Sequence, residues 1–270
     1  MSAPVYVGTS GWSYLAWRDS FYRGVPKREW LAWCARRFTA VEINASFYRL
    51  QSPQTFTRWR QVTPAGFRFA LKANRYLTHN KKLADAVHSI ALERGRAQAL
   101  GDKLVAVLWQ LPGNYKKHMG RLDGFLHALE GWPEVRHVLE FRHRSWFVDE
   151  VADSLSRHRV AVCQSDAADW PLWDRVTTDL VYVRLHGHTR TYASAYSRAA
   201  LRRWAQRVHD WSEEGRSVCV FFDNDAEGAA PDDAMALLRL LGETAEKRPK
   251  RVNIRLKACR PARSGVPRTR

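Results

Sequence analysis

Eight short runs of strand-forming residues, separated for the most part by segments with helical periodicity, constrain this 270-residue chain more than any other feature. The runs fall at 5–8, 40–44, 67–72, 104–110, 138–141, 160–165, 180–186 and 217–223, and they are rich in Val, Leu and Phe. Continuous apolar runs of this length suit parallel strands with both faces covered. The segments between them carry helical stripes. Trp30, Cys34 and Phe38 share a face after the first run, with Pro26 suited to a first helical turn. Leu122, Phe125, Leu126 and Leu129 share one after the fourth. Leu201, Trp204, Val208 and Trp211 follow the seventh, with Ser197 as a cap and Gly215 as a stop. A last helical stripe, 231–241, is expected to end at Gly242. Strand and helix alternating in this way predict an α/β chain closed into a (β/α)8 TIM-like barrel. The link between the sixth and seventh runs is short and carries Trp170, Pro171 and Trp173, so a degenerate helix is expected there. An open doubly wound sheet shares the alternation, but residues 8–11 lack the G-x-G-x-x-G spacing of its phosphate loop.

Charge divides the chain in two. The net charge is +17, and residues 247–270 hold ten Lys or Arg and no acid, which leaves +7 for the rest. We expect one barrel domain over 1–246 and a basic, disordered tail over 247–270 that could contact phosphate backbones or serve only solubility. No apolar run approaches the length of a membrane span. Residues 1–8 lead directly into a strand without the pattern of a signal peptide, so a cytoplasmic protein is expected, and oligomeric state is left open. Cys34, Cys163, Cys219 and Cys259 show no C-x-x-C spacing and read as reduced thiols.

Strand side chains alternate in facing, which locates the polar residues. Val41 and Ile43 suit the helix-covered outside and send Glu42 and Asn44 inward. The same phase sends Lys72 and Asn74 inward, then Glu140 and Arg142, then Arg184 and His186. Gln110, Asp166, Asp223 and Asp225 hold corresponding late positions, with their facing less certain. Nearly every strand thus turns polar at its carboxyl end, the catalytic face of such barrels. Pairing among these charges, for example Glu42 with Lys72 or Asp166 with Arg184, accounts for some of them. A whole ring of charges is poorly explained as packing, because burying each ion costs several kcal/mol.

Several segments carry a resemblance: 8–14 (GTSGWSY), 41–50 (VEINASFYRL), Lys72-Ala73 with Thr78-His79, 110–112 (QLP), 140–147 (EFRHRSWF), 182–187 (YVRLHG) and 222–225 (FDND). In collinear order from about 5 to 242, they resemble the YecE-like family, domain of unknown function 72. The resemblance implies a barrel of the TIM type and implies no reaction. Ala45, Gly113 and Asp233 depart from the family's usual Ser or Thr, Pro and Asn.

The residue types at the mouth suggest chemistry. Glu140, His186, Asp166, Asp223 and Glu42 are the candidate catalytic groups, with Glu140 or Asp166 as base and His186 as acid. Glu140, Asp166, His186 and Asp223 are also donors that admit a divalent metal, Mg²⁺, Mn²⁺ or Zn²⁺, although no H-E-x-x-H motif is present. Lys72, Arg142 and Arg184 would hold an anionic substrate, with Asn44, His79, His143, Trp12, Tyr48 and Trp146 completing the pocket. Tyr14 and Phe47 add aromatic surface for stacking. A glycosidase is disfavoured, since no carboxylate pair suited to flank one bond is evident. The reading is a hydrolase-like enzyme acting on an anionic, phosphate-containing or nucleic-acid substrate. The alternative is a non-catalytic nucleic-acid-binding protein using its basic surface and tail, and a third reading is an isomerase or lyase for a small sugar acid.

Overall fold

The computed structural model describes residues 2–246, so the basic tail and Cys259 lie outside the described residues. All eight expected strands are present: β1 (Val5–Thr9), β2 (Ala40–Ile43), β3 (Arg68–Lys72), β4 (Leu104–Gln110), β5 (Arg136–Glu140), β6 (Ala161–Asp166), β7 (Leu180–Leu185) and β8 (Ser217–Phe222). They pair in parallel in the order β1-β8-β7-β6-β5-β4-β3-β2. The helices α1 (Trp30–Ala35), α2 (Ala45–Tyr48), α3 (Pro53–Gln61), α4 (Ala86–Ala97), α5 (Met119–Leu129), α6 (Asp149–Arg157), α7 (Arg198–Glu213) and α8 (Ala230–Glu246) occupy the links and the end of the described chain. No helix lies between β6 and β7, as the shortness of that link predicts. There Thr177 takes the place of a repeating turn: its hydroxyl accepts from the Val162 N–H at 3.0 Å and donates to the Val160 carbonyl at 2.8 Å.

The stripes read from the sequence are buried against the barrel. Leu122, Phe125, Leu126 and Leu129 of α5 and Leu201, Trp204, Val208 and Trp211 of α7 all enter the layer between sheet and helices. Ser197 caps α7 by accepting from the Ala200 N–H at 3.2 Å. Gly215 follows with φ of +84°, a conformation that costs glycine little. One boundary differs from expectation, because α8 runs through Gly242 to Glu246. An interior glycine costs a helix only about 1 kcal/mol, and Leu237, Leu240 and Leu241 packed into the same layer offset that. Among the described residues, no helix is long and apolar enough to cross a membrane. Cys34, Cys163 and Cys219 are buried and free.

A second, smaller core fills the barrel interior from Ala40, Ala70, Leu108, Val138, Cys163, Tyr182 and Phe221 among others. The seam between β1 and β2 closes the ring through a bridge at Ser10 and Glu42 and the Gly11 N–H on the Glu42 carbonyl at 2.8 Å. Gly8 makes this closeness possible, since a Cβ there would lie 1.8 Å from the Ala40 carbonyl oxygen. Backbone cannot yield as a side-chain tip can. Gly8→Ala is therefore expected to destabilise by about 1–3 kcal/mol, the usual cost of overpacking. In a domain of this size that is roughly 3–10 °C of melting temperature. A thermal scan in which the variant melts with the wild type would show that the seam is not tight.

Candidate active site

Toward the carboxyl end of the barrel every strand contributes one inward polar side chain, either in its last turn of pleat or just beyond it. These are Ser10, Glu42, Lys72, Gln110, Glu140, Ser165, Arg184 and Asp223, all buried. The alternation that puts Ala40, Ala70, Leu108, Val138, Cys163, Tyr182 and Phe221 inside the barrel puts these one step of two further along.

Arg184 lies at the centre of this layer and is wholly buried. Its Nη2 donates to Glu42 Oε1 at 2.8 Å, to Asp223 Oδ2 at 2.8 Å and to Ser10 Oγ at 3.1 Å. Nε reaches Glu42 Oε2 at 3.1 Å, and Nη1 reaches Glu140 Oε2 at 3.0 Å. Glu42 also accepts from the Ser10 hydroxyl at 2.5 Å and the Tyr182 hydroxyl at 2.6 Å. Glu140 accepts from Arg142 Nε at 2.8 Å, with Ser165 Oγ 3.3 Å away. Three carboxylates are thus paired with Arg184 and Arg142, with the Lys72 charge nearby but unpaired, and these pairings offset much of the cost of burying them. Burial pushes the Glu140 carboxyl up, but Arg142 and Arg184 overcome this and hold it well below the usual range. Burial likewise opposes ionisation of Asp223, and Arg184 with His186 holds that carboxyl low.

The expected pairings are redrawn by this arrangement. Glu42 pairs with Arg184 and not Lys72. Asp166 does not reach Arg184, because β6 turns Cys163 and Ser165 inward and so sends Asp166 to the helix side, near the Tyr196 hydroxyl. Trp146 is also misplaced by the sequence reading. It is fully buried, stacked on Phe141 at 4.8 Å, and its Nε1 donates to the Tyr115 carbonyl at 2.7 Å, so it packs a loop and cannot stack on a ligand. His143 Nδ1 accepts from the Ser145 N–H at 3.1 Å and caps a short turn outside the cleft.

Above the layer opens a cleft of about 540 Å³ whose lining includes Tyr14, Asn44, Phe47, Tyr48, Lys72, His79, Gln110, Arg142, Tyr192, Asp223 and Asp225. Lys72 projects Nζ to 4.1 Å from the centroid of the Phe47 ring. Among the described residues no hydrogen-bond acceptor or carboxylate partner meets that nitrogen. Burial, then the Arg184 charge, lowers its pKa to about 8. Asp225 moves the other way: burial, then the neighbouring Asp223 charge, raises its carboxyl to about 7, with the Tyr14 hydroxyl within reach. His79 is lowered to about 4 by burial and then by Arg75 and Lys72, so it is neutral at pH 7. Arg142 lies over Trp170 at 4.3 Å and donates from Nη1 to the Tyr192 hydroxyl at 2.8 Å. His186 sits below the cleft, wholly buried under the edges of Trp170 and Tyr192. Its Nδ1 is 3.0 Å from Asp223 Oδ2 without a well-formed hydrogen bond, and its Nε2 is 3.3 Å from Arg184 Nη1.

Glu42, Glu140, Asp223, Arg184, His186, Lys72, Arg142, Asn44, Tyr48 and His79 are therefore brought together at the mouth. Asp166, Trp146 and His143 are not, and Trp12 lines a neighbouring groove. The expected metal donors do not fit a divalent ion. Asp166 faces away, and the Arg184 guanidinium fills the space on which Glu140 and Asp223 converge. Among the described residues no other group of three His, Cys, Asp or Glu is placed to hold one. Two functional candidates escaped the assignment of roles. Asp225 carries a signal in the sequence, since Asp223 and Asp225 are two apart and share a facing; Tyr192 carries none, because a loop after β7 delivers it.

The model of the family described as protein of unknown function DUF72 matches residues 6–255, beyond the expected limit near 242. UPF0759 protein YunF of Bacillus subtilis is 26% identical over 273 residues, covering 88% of this chain and 94% of that protein. UPF0759 protein YecE of Escherichia coli K12 is 28% identical over a shorter stretch, 53% of this chain and 50% of that protein. The crystal structure of a DUF72 family protein from Thermotoga maritima superposes with a TM-score of 0.80 at 26% identity, covering 88% of this chain and 99% of the other.

Proposed function

The chain belongs to the DUF72 family, and from that premise and the chemistry of its barrel mouth we propose that it is an enzyme of hydrolytic type acting on a small anionic substrate. One observation carries the reading: Lys72 and Asp225 open on one cleft with their pKa values moved toward neutrality, to about 8 and about 7, while the charges beneath are committed to each other. Groups with separated, near-neutral pKa values mark acid–base sites more often than structural ones. Lys72, with the free edge of Arg142, supplies positive charge for the anionic group. Asp225 takes a proton from attacking water and returns it to the leaving group. Glu140, which the sequence reading offers as a base, is paired with Arg142 and Arg184, which hold its carboxyl below the usual range and make it a weaker base than Asp225. The work of Glu140, with Glu42 and Asp223, is to anchor Arg184 and Arg142 so that the cleft is preorganised.

Lys72→Met keeps the apolar stem against Phe47 and removes the charge. In a screen of phosphate and carboxylate esters, the variant is expected to raise KM about tenfold or more for whatever substrate is found. An unchanged KM would remove Lys72 from anion binding. Salt-sensitive oligonucleotide binding with no turnover of any ester would instead favour the non-catalytic nucleic-acid reading.

A further inference from the structure

Beside the mouth lies a groove of about 420 Å³ walled by Trp12, Tyr14, Tyr48 and Trp59, and Tyr14, Asn44 and Tyr48 line both it and the charged cleft. We propose that this groove is the second half of the substrate site and takes a planar heteroaromatic ring carried by the same small molecule as the anionic group, as in a nucleoside monophosphate. The inference rests on the anionic-substrate reading and gives the substrate its class.

The groove is walled mainly by aromatic side chains that are held in place by one another and by backbone. Trp12 meets Trp59 edge-on, with centroids 5.0 Å apart and planes at 89°, so the two indoles hold each other in place. Tyr14 is fixed by donating to the Ser10 carbonyl at 2.7 Å. It lies against the bare Cα of Gly11, where a Cβ would come within 2.7 Å of its hydroxyl and where φ is +84°. A side chain at position 11 would therefore strain the backbone and displace this wall. Tyr48, at the junction of the two clefts, is 68% exposed, and a ring stacked on it would remove apolar surface from water.

Polar groups are few but placed at the same junction. Apart from the phenols and the indole N–H groups of Trp12 and Trp59, Ser13 and Asn44 are the polar side chains of the groove, and none of its lining residues carries a charge. Ser13 and Asn44 suffice for the edge of a heteroaromatic ring. Asn44 donates through Nδ2 to the Tyr14 hydroxyl at 3.4 Å, and its Oδ1, closed off from solvent, has no partner among the described residues. Charge complementarity fixes the other end, because Lys72 lies across the shared wall with its ammonium unpaired by any described residue. A ligand with a ring in one cleft and an anion in the other satisfies both.

Calorimetric titration of the full chain with inorganic phosphate, ribose 5-phosphate, adenosine and adenosine monophosphate tests this. The monophosphate of the nucleoside is expected to bind at least about tenfold more tightly than ribose 5-phosphate, the range that stacking on one aromatic side chain supplies. Tyr48→Ala, at an exposed position that threatens folding little, should erase most of that advantage, weakening adenosine monophosphate several-fold more than ribose 5-phosphate. Lys72→Met should weaken both phosphates and spare adenosine. Equal affinity for the two phosphates, or an advantage that survives in both Tyr48→Ala and Trp12→Leu, would overturn the ring subsite. Adenosine binding as tightly as its monophosphate would overturn the anionic reading while the ring subsite stood. Absence of binding by all four probes would sink both. An oligonucleotide that binds more tightly than any of them, whatever stands at 48, would replace the subsite with a polyanion surface.

Discussion

Arg184→Met is expected to destabilise the protein at pH 7 by about 3–5 kcal/mol, the cost of leaving buried charges without their partner. For a domain of this size that is a fall of roughly 6–20 °C in melting temperature. Methionine fills much of the same space, so the loss is electrostatic: Glu42, Glu140 and Asp223 each lose a hydrogen bond of 3.0 Å or less. The pH dependence should separate this from a packing defect. In the wild type, Glu140 and Asp223 have folded pKa values below their unfolded ones. Their contribution is thus present above about pH 4, the unfolded carboxylate range, and is lost as pH falls toward the folded values. Without Arg184, Glu140 keeps Arg142 and Asp223 keeps His186 and Lys72, but burial is opposed less and both carboxyls move up from their wild-type positions. Stability in the variant should then gain less than the wild type does as pH rises. Denaturant unfolding at pH 4.5 and pH 7.5 should show the variant's deficit growing with pH; an equal deficit at both would mean that Arg184 acts through shape alone.

Asp225→Asn is expected to lower turnover by about 10²–10⁴-fold, the usual contribution of a positioned general acid–base group. In the wild type, kcat/KM should rise with pH as Asp225 loses its proton near 7 and fall as Lys72 loses its own near 8, which makes a narrow bell. The asparagine variant should lose the acidic limb together with the rate, and Lys72→Met the alkaline limb. Stability should respond in the opposite sense to activity. A carboxyl whose folded pKa is raised stabilises the fold only below its unfolded pKa, and stability drains away as pH rises through about 7. Asparagine removes that loss, so the variant should melt at or above the wild-type temperature at pH 8, as residues held strained for function often do. A variant that keeps its turnover would move proton transfer to another group.

Much of this molecule is legible in one dimension. The period of two along each strand and the period near 3.6 between strands are local properties, and they suffice to predict eight parallel strands, the buried faces of α5 and α7, and the missing helix between β6 and β7. The same local phase places Glu42, Lys72, Glu140 and Arg184 inside the barrel, since a strand flanked outside by Val41 and Ile43 or by Val183 and Leu185 has no other choice. Where the phase is ambiguous the reading fails. In β6 the run Cys163, Gln164, Ser165, Asp166 offers a small or polar residue on either face, and the barrel takes the two small ones because Glu140 and the Arg184 guanidinium already fill the space.

Partnership is what only the tertiary structure decides. Glu42 and Arg184 are 142 residues apart, and nothing local says that Arg184 will gather three carboxylates while Lys72 is left facing the cleft. Those pairings exist only once the seam at Gly8 and Ala40 closes the ring and brings the carboxyl ends of β2, β5, β7 and β8 within hydrogen-bonding reach. The pKa values follow from the same closure. Burial and neighbours set them, so Glu140 and Asp225, both plain carboxylates in the sequence, end on opposite sides of the usual range. Residue type and strand phase determine which groups arrive at the mouth; which of them is left to meet a substrate is settled by distances across the barrel, which no local pattern encodes.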